Sequence, residues 1–132
     1  MKYFTITELC HSTTADRLGI NNRCNQENVI NLTALVDNVL DPLREWYGNP
    51  LSVNSGYRCP ALNKAVKGST TSQHMSGQAA DIDTGDRHHN KLLFDYIQKN
   101  LPYDQLIWEN GGAWVHVSFK NDGKNRKQVL SL

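Results

Sequence analysis

The chain has 132 residues, the usual size of one domain, and a chain of this length can bury most of its unfolded surface around a single core. Hydrophobic residues make up 39% and charged residues 20% of an ordinary globular composition without low-complexity tracts or internal repeats, which argues against extended disorder. The 14 Lys and Arg residues nearly balance the 13 Asp and Glu residues, so no basic field favours nucleic acid or anionic lipid as a partner. We therefore expect a single domain over residues 1–132.

The N-terminal residues 1–8 are partly polar and lack the apolar core of a signal peptide. No other stretch approaches the roughly 20 apolar residues that a membrane span requires. We expect a monomer that does not insert into a membrane and that is cytoplasmic as synthesised.

The chain contains three cysteines, Cys10, Cys24 and Cys59, without any C-x-x-C spacing. An odd count of this kind is typical of free thiols in a reducing compartment and not of a disulfide framework. We expect three small, partly buried residues, with a single bridge between Cys10 and Cys24 as the alternative.

The clearest helical pattern covers residues 27–47, where apolar side chains recur at steps of three and four. Pro42 lies inside this pattern, so a kink or a break is expected near Asp41. Gly48 supplies a C-terminal stop. The pattern predicts a long helix whose role is structural.

Strand patterns alternate with shorter helical patterns along the rest of the chain. Strands are predicted at residues 51–54, 79–83, 105–109 and 114–119, and short helices at residues 60–66 and 90–101. The elements do not follow the strict βαβ order that a parallel sheet requires. We therefore expect an α+β fold with a small antiparallel sheet flanked by helices, and a tight hairpin turn at Asn110-Gly111.

Three residues form a candidate metal site. A catalytic zinc is held by three protein ligands, usually imidazoles and a carboxylate, and keeps a fourth position open. His74 is followed by glycine and small residues and then by Asp81 on a predicted strand. Asp81 and His116 each stand between apolar neighbours, so strand alternation lets both face a cleft. By itself the pattern is moderately specific, because a lone strand histidine is more often a hydrogen-bonded structural residue.

Three motifs carry a resemblance to a known family. They are S-x-H-x-x-G-x-A-x-D at residues 72–81, S-G-Y-R at residues 55–58 and W-V-H-V-S-F at residues 114–119. In their order along the chain, with S-G-Y-R first, they resemble the zinc D-Ala-D-Ala carboxypeptidase and peptidoglycan endopeptidase family, number fifteen of the metallopeptidases in clan MD. The hedgehog signalling domain belongs to the same clan, so the resemblance implies a hedgehog-like fold.

The resemblance implies that His74, Asp81 and His116 bind one zinc ion. It also implies that Arg58 lies beside the metal, polarises the scissile carbonyl and steadies the oxyanion. A guanidinium suits this task because it stays charged and donates in a planar fork. The alternative interpretation is that Arg58 is an exposed residue in a turn.

Two further residues are candidate substrate contacts. By similarity Ser72 touches the substrate, although a loop hydroxyl that bonds to nearby backbone is equally plausible. Trp114 can wall the cleft, while an aromatic residue on a small sheet more often belongs to the core. The adjacent residues His88 and His89 are expected to be a solvated helix start and not metal ligands.

Hydrolysis also needs a base, and Glu109 is the only carboxylate shortly before His116. Relatives in the clan carry a glutamate at a variable distance before the last histidine. A tight turn at residues 110–111 would leave Glu109 roughly 13 Å further along the strand unless the glycine-rich loop folds back. A solvated carboxylate at a hairpin tip is the alternative for Glu109, and Asp83 or Asp104 are alternative bases.

The resemblance implies a zinc peptidase that acts on the peptidoglycan stem peptide, either as a carboxypeptidase or as an endopeptidase of the endolysin type. Without a signal peptide, such an enzyme needs release or another delivery route to reach the cell wall. A non-catalytic zinc-containing binding module is the alternative, and it has no need of both Glu109 and Arg58. A structural zinc site is disfavoured because such sites usually have four protein ligands and are rich in cysteine.

Overall fold

The computed structural model describes residues 1–132 and shows helices packed against a five-stranded sheet. The elements are α1 (Ile6–Cys10), α2 (Thr13–Leu18), α3 (Gln26–Leu35), α4 (Asp41–Tyr47), β1 (Ser52–Ser55), α5 (Pro60–Ala65), β2 (Ala79–Asp83), α6 (Arg87–Asn100), β3 (Gln105–Glu109), β4 (Trp114–Ser118) and β5 (Gln128–Ser131). The expected α+β class is confirmed. None of the helices is long and apolar enough to cross a membrane.

The long helical pattern forms α3 and α4, joined by a π-helical turn at Val36–Leu40. Pro42 has no backbone N–H and crowds the carbonyl of the preceding turn, which would break a regular helix. The wider turn, closed by a bond from the N–H of Asp41 to the carbonyl of Val36, carries the chain past this residue. The structure thus has a wide turn in place of the expected kink or break, and Gly48 ends the helix in the left-handed region as predicted.

The sheet has the strand order β1-β2-β4-β3-β5. The first four strands pair antiparallel, and each lies within one residue of its predicted position. The fifth strand was not predicted and runs parallel to β3, so the sheet is mixed. Residues of β5 are mostly exposed, which leaves them without the apolar alternation that marks a half-buried strand.

The two faces of the sheet have different roles. One face carries the apolar residues Ala80, Ile82, Leu106, Val115 and Val117, which join the helices in one buried core. Because side chains alternate along a strand, the residues between them project from the other face. This second face carries the acidic and histidine side chains of the central strands.

The connection between β3 and β4 is wider than the tight turn expected at Asn110-Gly111. Glu109 pairs with Trp114, so four residues separate the strands and include a short 3-10 turn, Asn110–Gly112. Gly112 has a φ of 92°, and a Cβ atom there would lie 2.1 Å from the Trp108 ring. The loop therefore folds back closely over β3 and needs glycine at this position.

The expectation of three free thiols is wrong for two of the cysteines. Cys10, at the end of α1, forms a disulfide with Cys24, just before α3, with a Cα–Cα distance of 6.5 Å. Contacts between α1 and α3 bring these two segments together, a proximity that residue spacing alone does not reveal. Cys59 remains free and half-buried.

Candidate metal centre

His74, Asp81 and His116 form one buried cluster on the polar face of the sheet. One donor atom from each lies within 4.8 Å of the other two, and their side chains are at most 10% exposed. Asp81 Oδ1 is 3.0 Å from His116 Nδ1 and 3.3 Å from His74 Nε2. The pairing of β2 with β4 places Asp81 directly opposite His116. The three predicted ligands are thus brought together.

A short 3-10 turn, Gln73–Ser76, positions His74. The hydroxyl of Ser72 caps this turn by accepting a hydrogen bond from the His74 N–H at 3.2 Å. Gly77 ends the turn at a φ of 79°, and a Cβ atom there would lie 2.7 Å from the backbone oxygen of Asn28. Glycine at this position lets the chain turn sharply from the histidine into β2.

A hydrogen bond to the backbone fixes the tautomer of His74. Its Nδ1 lies 2.6 Å from the carbonyl oxygen of Gly56, which can only accept, so Nδ1 carries the proton. In this tautomer Nε2 carries a lone pair, faces Asp81 and can coordinate a metal ion. This arrangement is common for histidines that bind metals, because the outer partner sets the ring orientation and raises the basicity of the ligand atom.

The electrostatics of Asp81 favour its charged form. Burial opposes ionisation, but a hydrogen bond from His116 and the adjoining ring of His74 outweigh it and hold the pKa of the carboxyl well below its usual range. A carboxylate and two imidazoles in a buried pocket match the donor set of a divalent cation with three protein ligands and an open position. The residues present therefore fit a metal ion.

Arg58 is fixed beside this cluster with its side chain 16% exposed. Its guanidinium donates to Ser55 Oγ at 2.9 Å and to Asn63 Oδ1 at 3.3 Å, and Nη2 reaches Asp81 Oδ2 at 3.4 Å. Three partners on three different elements hold the planar fork in one orientation. Arg58 is therefore not an exposed turn residue.

The segment before Arg58 needs a glycine for close packing. A Cβ atom at Gly56 would lie 2.1 Å from the carbonyl oxygen of Leu9 in α1. That same oxygen accepts a hydrogen bond from the N–H of Tyr57, whose side chain belongs to the core. The S-G-Y-R motif thus combines a backbone acceptor for His74, a core anchor and the guanidinium.

Glu109 lies in the same cleft as the cluster, because the four-residue loop sets a register of β3 against β4 that brings it closer to His116 than a tight turn would. Because Glu109 pairs with Trp114 and Ile107 pairs with His116, the glutamate is two residues from the histidine row and on the same face. Two residues correspond to about 7 Å along a strand, half of the spacing expected for a tight turn. The indole Nε1 of Trp114 donates to Glu109 Oε2 at 2.6 Å.

The two alternative bases lie outside the cleft and have other partners. Asp83 Oδ1 accepts hydrogen bonds from Asn90 Nδ2 at 2.9 Å and from the N–H of Gly85 at 2.8 Å. Asp104 is fully buried, and its ion pair with Arg126 is the main cause that lowers its pKa to about 2. Both carboxylates hold neighbouring segments in place.

A cleft of about 500 Å³ opens over the cluster. All seven residues singled out from the sequence line it, namely Arg58, Ser72, His74, Asp81, Glu109, Trp114 and His116. Its volume is within the range of small-molecule and peptide sites. His88 and His89 lie in the exposed first turn of α6, as expected.

Sequence reasoning missed Asn22, which braces the segment that carries Arg58. Its amide donates to the carbonyls of Cys10 and Tyr57 at 2.9 and 3.0 Å and accepts from the N–H of Cys59 at 2.7 Å. An asparagine in a loop carries no periodic or motif signal. Only the fold shows that it joins the disulfide-closed loop to the site.

The comparisons with known proteins agree with this geometry. A family model described as Peptidase M15 matches residues 2–118, which include every residue of the cluster, Arg58 and Glu109. A search of curated proteins finds no significant match. Because the family model spans most of the sequence, the chain belongs to the peptidase M15 family.

Proposed function

We propose that the chain is a zinc-dependent peptidase that hydrolyses a peptide bond in the peptidoglycan stem. The observation that carries the proposal is the convergence of His74, Asp81, His116, Arg58 and Glu109 in one cleft of a Peptidase M15 chain. Two imidazoles and one carboxylate are the ligand set of many catalytic zinc sites. Both the D-Ala-D-Ala carboxypeptidase and the endopeptidase type fit this site.

Zinc held by the cluster would supply a Lewis acid that makes water nucleophilic near neutral pH. Glu109 accepts the proton of the attacking water, since it is the one carboxylate that lines the cleft besides the candidate ligand Asp81. The Trp114 indole orients Glu109 by donating to one of its oxygens. The other oxygen is then available for the proton.

Arg58 stabilises the negative charge that develops on the carbonyl oxygen during attack. Its contacts with Ser55 and Asn63 fix the guanidinium before substrate binds, so little reorganisation is needed in the transition state. Ser72 lies in the cleft wall with its hydroxyl partly engaged by the His74 N–H, and we assign it a substrate contact through its remaining hydrogen-bonding capacity.

Two features favour an enzyme over a non-catalytic binding module. Glu109 is a half-buried carboxylate within the cleft, and Arg58 is a half-buried cation fixed beside Asp81. A zinc module that only binds has no need of either group. Three protein donors also argue against a structural zinc site, which usually has four.

The substrate proposal rests on the resemblance and on the size of the cleft, which accommodates a short peptide. A cleft of about 500 Å³ must select by a few close contacts, and these depend on the chirality of each substrate residue. The test compares a stem peptide that contains D-residues with its all-L isomer, using zinc-loaded protein and mass spectrometry of the products. We expect a much higher kcat/KM for the D-containing peptide and poor cleavage of casein.

Equal kcat/KM for the two isomers, or efficient cleavage of casein with intact muropeptides, would contradict the cell-wall substrate. The products also identify which bond is cut and so distinguish a carboxypeptidase from an endopeptidase. Failure to cleave any peptide, with zinc bound, would instead favour the binding module.

A further inference from the structure

Two aliphatic residues, Ile107 and Leu130, continue the row of candidate metal ligands across the sheet. The strand registers place Asp81 opposite His116, His116 opposite Ile107, and Ile107 opposite Leu130. Directly paired residues share a face, so these four side chains form a straight row on the cleft side. The row changes from ligands on β2 and β4 to aliphatic residues on β3 and β5.

Ile107 and Leu130 both line the cleft. Ile107 is buried at the cleft floor with 6% of its surface exposed, whereas Leu130 is half-buried at the edge of the sheet. The cleft lining also includes the polar residues Arg58, Thr71 and Ser72 and the aliphatic residues Val66 and Leu132. Ile107 and Leu130 are the aliphatic lining residues that lie in one row with His116.

The strand that carries Leu130 lies outside the segment matched by the family model, which ends at residue 118. It is nevertheless firmly attached to the sheet. The N–H of Gln128 donates to the carbonyl of Asp104 at 2.9 Å, and Arg126 forms an ion pair with the Asp104 carboxylate at 2.6 Å. Leu130 is thus held in place as a fixed wall and not as part of a loose tail.

We propose that Ile107 and Leu130 form a subsite for an aliphatic side chain of the substrate residue next to the scissile bond, and that Leu130 sets this preference. The proposal rests on the proposed peptidase function. Neighbouring strands are about 4.8 Å apart, so Ile107 lies one strand spacing and Leu130 two strand spacings from His116. The side chain of a substrate residue next to the scissile bond can extend from the cluster to Ile107 and Leu130. The side chains of Ile107 and Leu130 themselves offer a charged substrate group no hydrogen-bond partner.

The test varies both the substrate residue beside the scissile bond and the side chain at position 130. Peptides carry glycine, alanine, leucine or glutamate on either side of the scissile bond, and kcat/KM is measured for zinc-loaded wild type and Leu130→Asn. Val129→Asn is the matched control, because Val129 is on the same strand, is 38% exposed and projects from the opposite face. Leu130→Ala is a second variant that adds no polar group.

At one of the two positions we expect an aliphatic residue to raise kcat/KM about 10-fold over glycine in wild type. Leu130→Asn should reduce this ratio about fivefold, while Val129→Asn retains both the wild-type ratio and the wild-type cleavage of the glycine peptide. An unchanged ratio in both Leu130 variants, or a wild-type preference for glutamate, would overturn the subsite.

Calorimetry separates this proposal from the peptidase assignment. We expect the aliphatic peptide fragment to bind zinc-loaded wild type about fivefold more tightly than Leu130→Asn. If no peptide is cleaved, the proposed function fails, and equal affinities for wild type and Leu130→Asn would then overturn the subsite as well.

Discussion

The indole of Trp114 donates a hydrogen bond to Glu109 across the paired ends of β3 and β4. This contact gives the tryptophan a role that sequence reasoning did not assign, because Trp114 was expected to line the cleft or join the core. An N–H donor on one carboxylate oxygen fixes the direction of the carboxylate and leaves the other oxygen as an acceptor. This orientation suits a residue that must accept a proton.

The first prediction concerns Glu109→Gln. The amide fills the same space but cannot accept the water proton, so we expect retained zinc and a loss of about 10² to 10⁴ in kcat. Zinc content by elemental analysis and single-turnover rates provide the measurement. Glu27→Gln is the control, since Glu27 is exposed in the first turn of α3. Wild-type turnover in Glu109→Gln would contradict the assignment of Glu109 as the base.

The second prediction is that one zinc ion binds per chain and stabilises the fold. At free zinc 1,000-fold above the dissociation constant, linkage gives about 4 kcal/mol of added free energy of unfolding. Melting curves with zinc or with a chelator test this. His116→Ala should lose both zinc and the stabilisation, whereas His88→Ala, which changes an exposed histidine of α6, should retain both. Stoichiometric zinc in His116→Ala would contradict the ligand set.

The third prediction concerns Gly56→Ala. The new Cβ atom would overlap the Leu9 carbonyl at 2.1 Å, so α1 must shift away from the site. We expect a cost of about 3 kcal/mol in the free energy of unfolding and weaker zinc binding through His74. Gly19→Ala is the matched control, because its Cβ atom meets open space and only a φ of 68° is strained, at about 1 kcal/mol. Equal denaturation midpoints for the two variants would contradict this account.

The fourth prediction is the pH dependence of stability due to Asp104. Its pKa is about 2 in the folded chain, below the usual 3.8, because Arg126 stabilises the carboxylate. A depressed pKa contributes stability that is fully present above about pH 4 and is lost as the pH falls toward 2. The contribution is about 2 kcal/mol. Asp104→Asn should therefore destabilise the protein near neutral pH and approach wild-type stability in acid.

Urea denaturation at several pH values measures this difference. Asp122→Asn is the control, since Asp122 is exposed and bonds only within its own turn. A constant difference between wild type and Asp104→Asn from pH 7 to pH 2 would show that Asp104 acts through packing and not through its charge.

The fifth prediction concerns the Cys10–Cys24 disulfide. A link across 14 residues removes loop entropy from the unfolded chain, and a loop of about 15 residues corresponds to about 3 kcal/mol. We expect the double change to serine to lower the free energy of unfolding by this amount and to abolish any effect of reductant. Cys59→Ser should keep the response to reductant, because Cys59 is free and caps α5. Identical unfolding of wild type with and without reductant would contradict the prediction.

The sequence predicted the parts of the fold that have a local signal. The apolar spacing of α3 and α4 and the alternation around His116 depend on nearby residues, so these elements were located closely. The residues of the His74, Asp81 and His116 cluster were also predicted, because each motif carries its candidate ligand within a short segment. The family resemblance supplied the link between segments that lie far apart in the chain.

The remaining features depend on contacts between distant segments. The position of β5 follows from pairing with β3 and from the Asp104 and Arg126 ion pair, neither of which leaves a pattern in residues 128–131. The distance from Glu109 to the cluster depended on how the glycine-rich loop folds. The bracing by Asn22 depends on three backbone groups from two separate segments.

The disulfide also determines what a protease can remove from the N-terminal part. Arg17 and Arg23 are exposed, and both lie between the two linked cysteines. Trypsin that cuts after either arginine opens the loop but leaves the fragment that carries α1 covalently attached through Cys10. A nicked molecule would therefore keep its mass apart from one added water, and its two fragments would separate only after reduction.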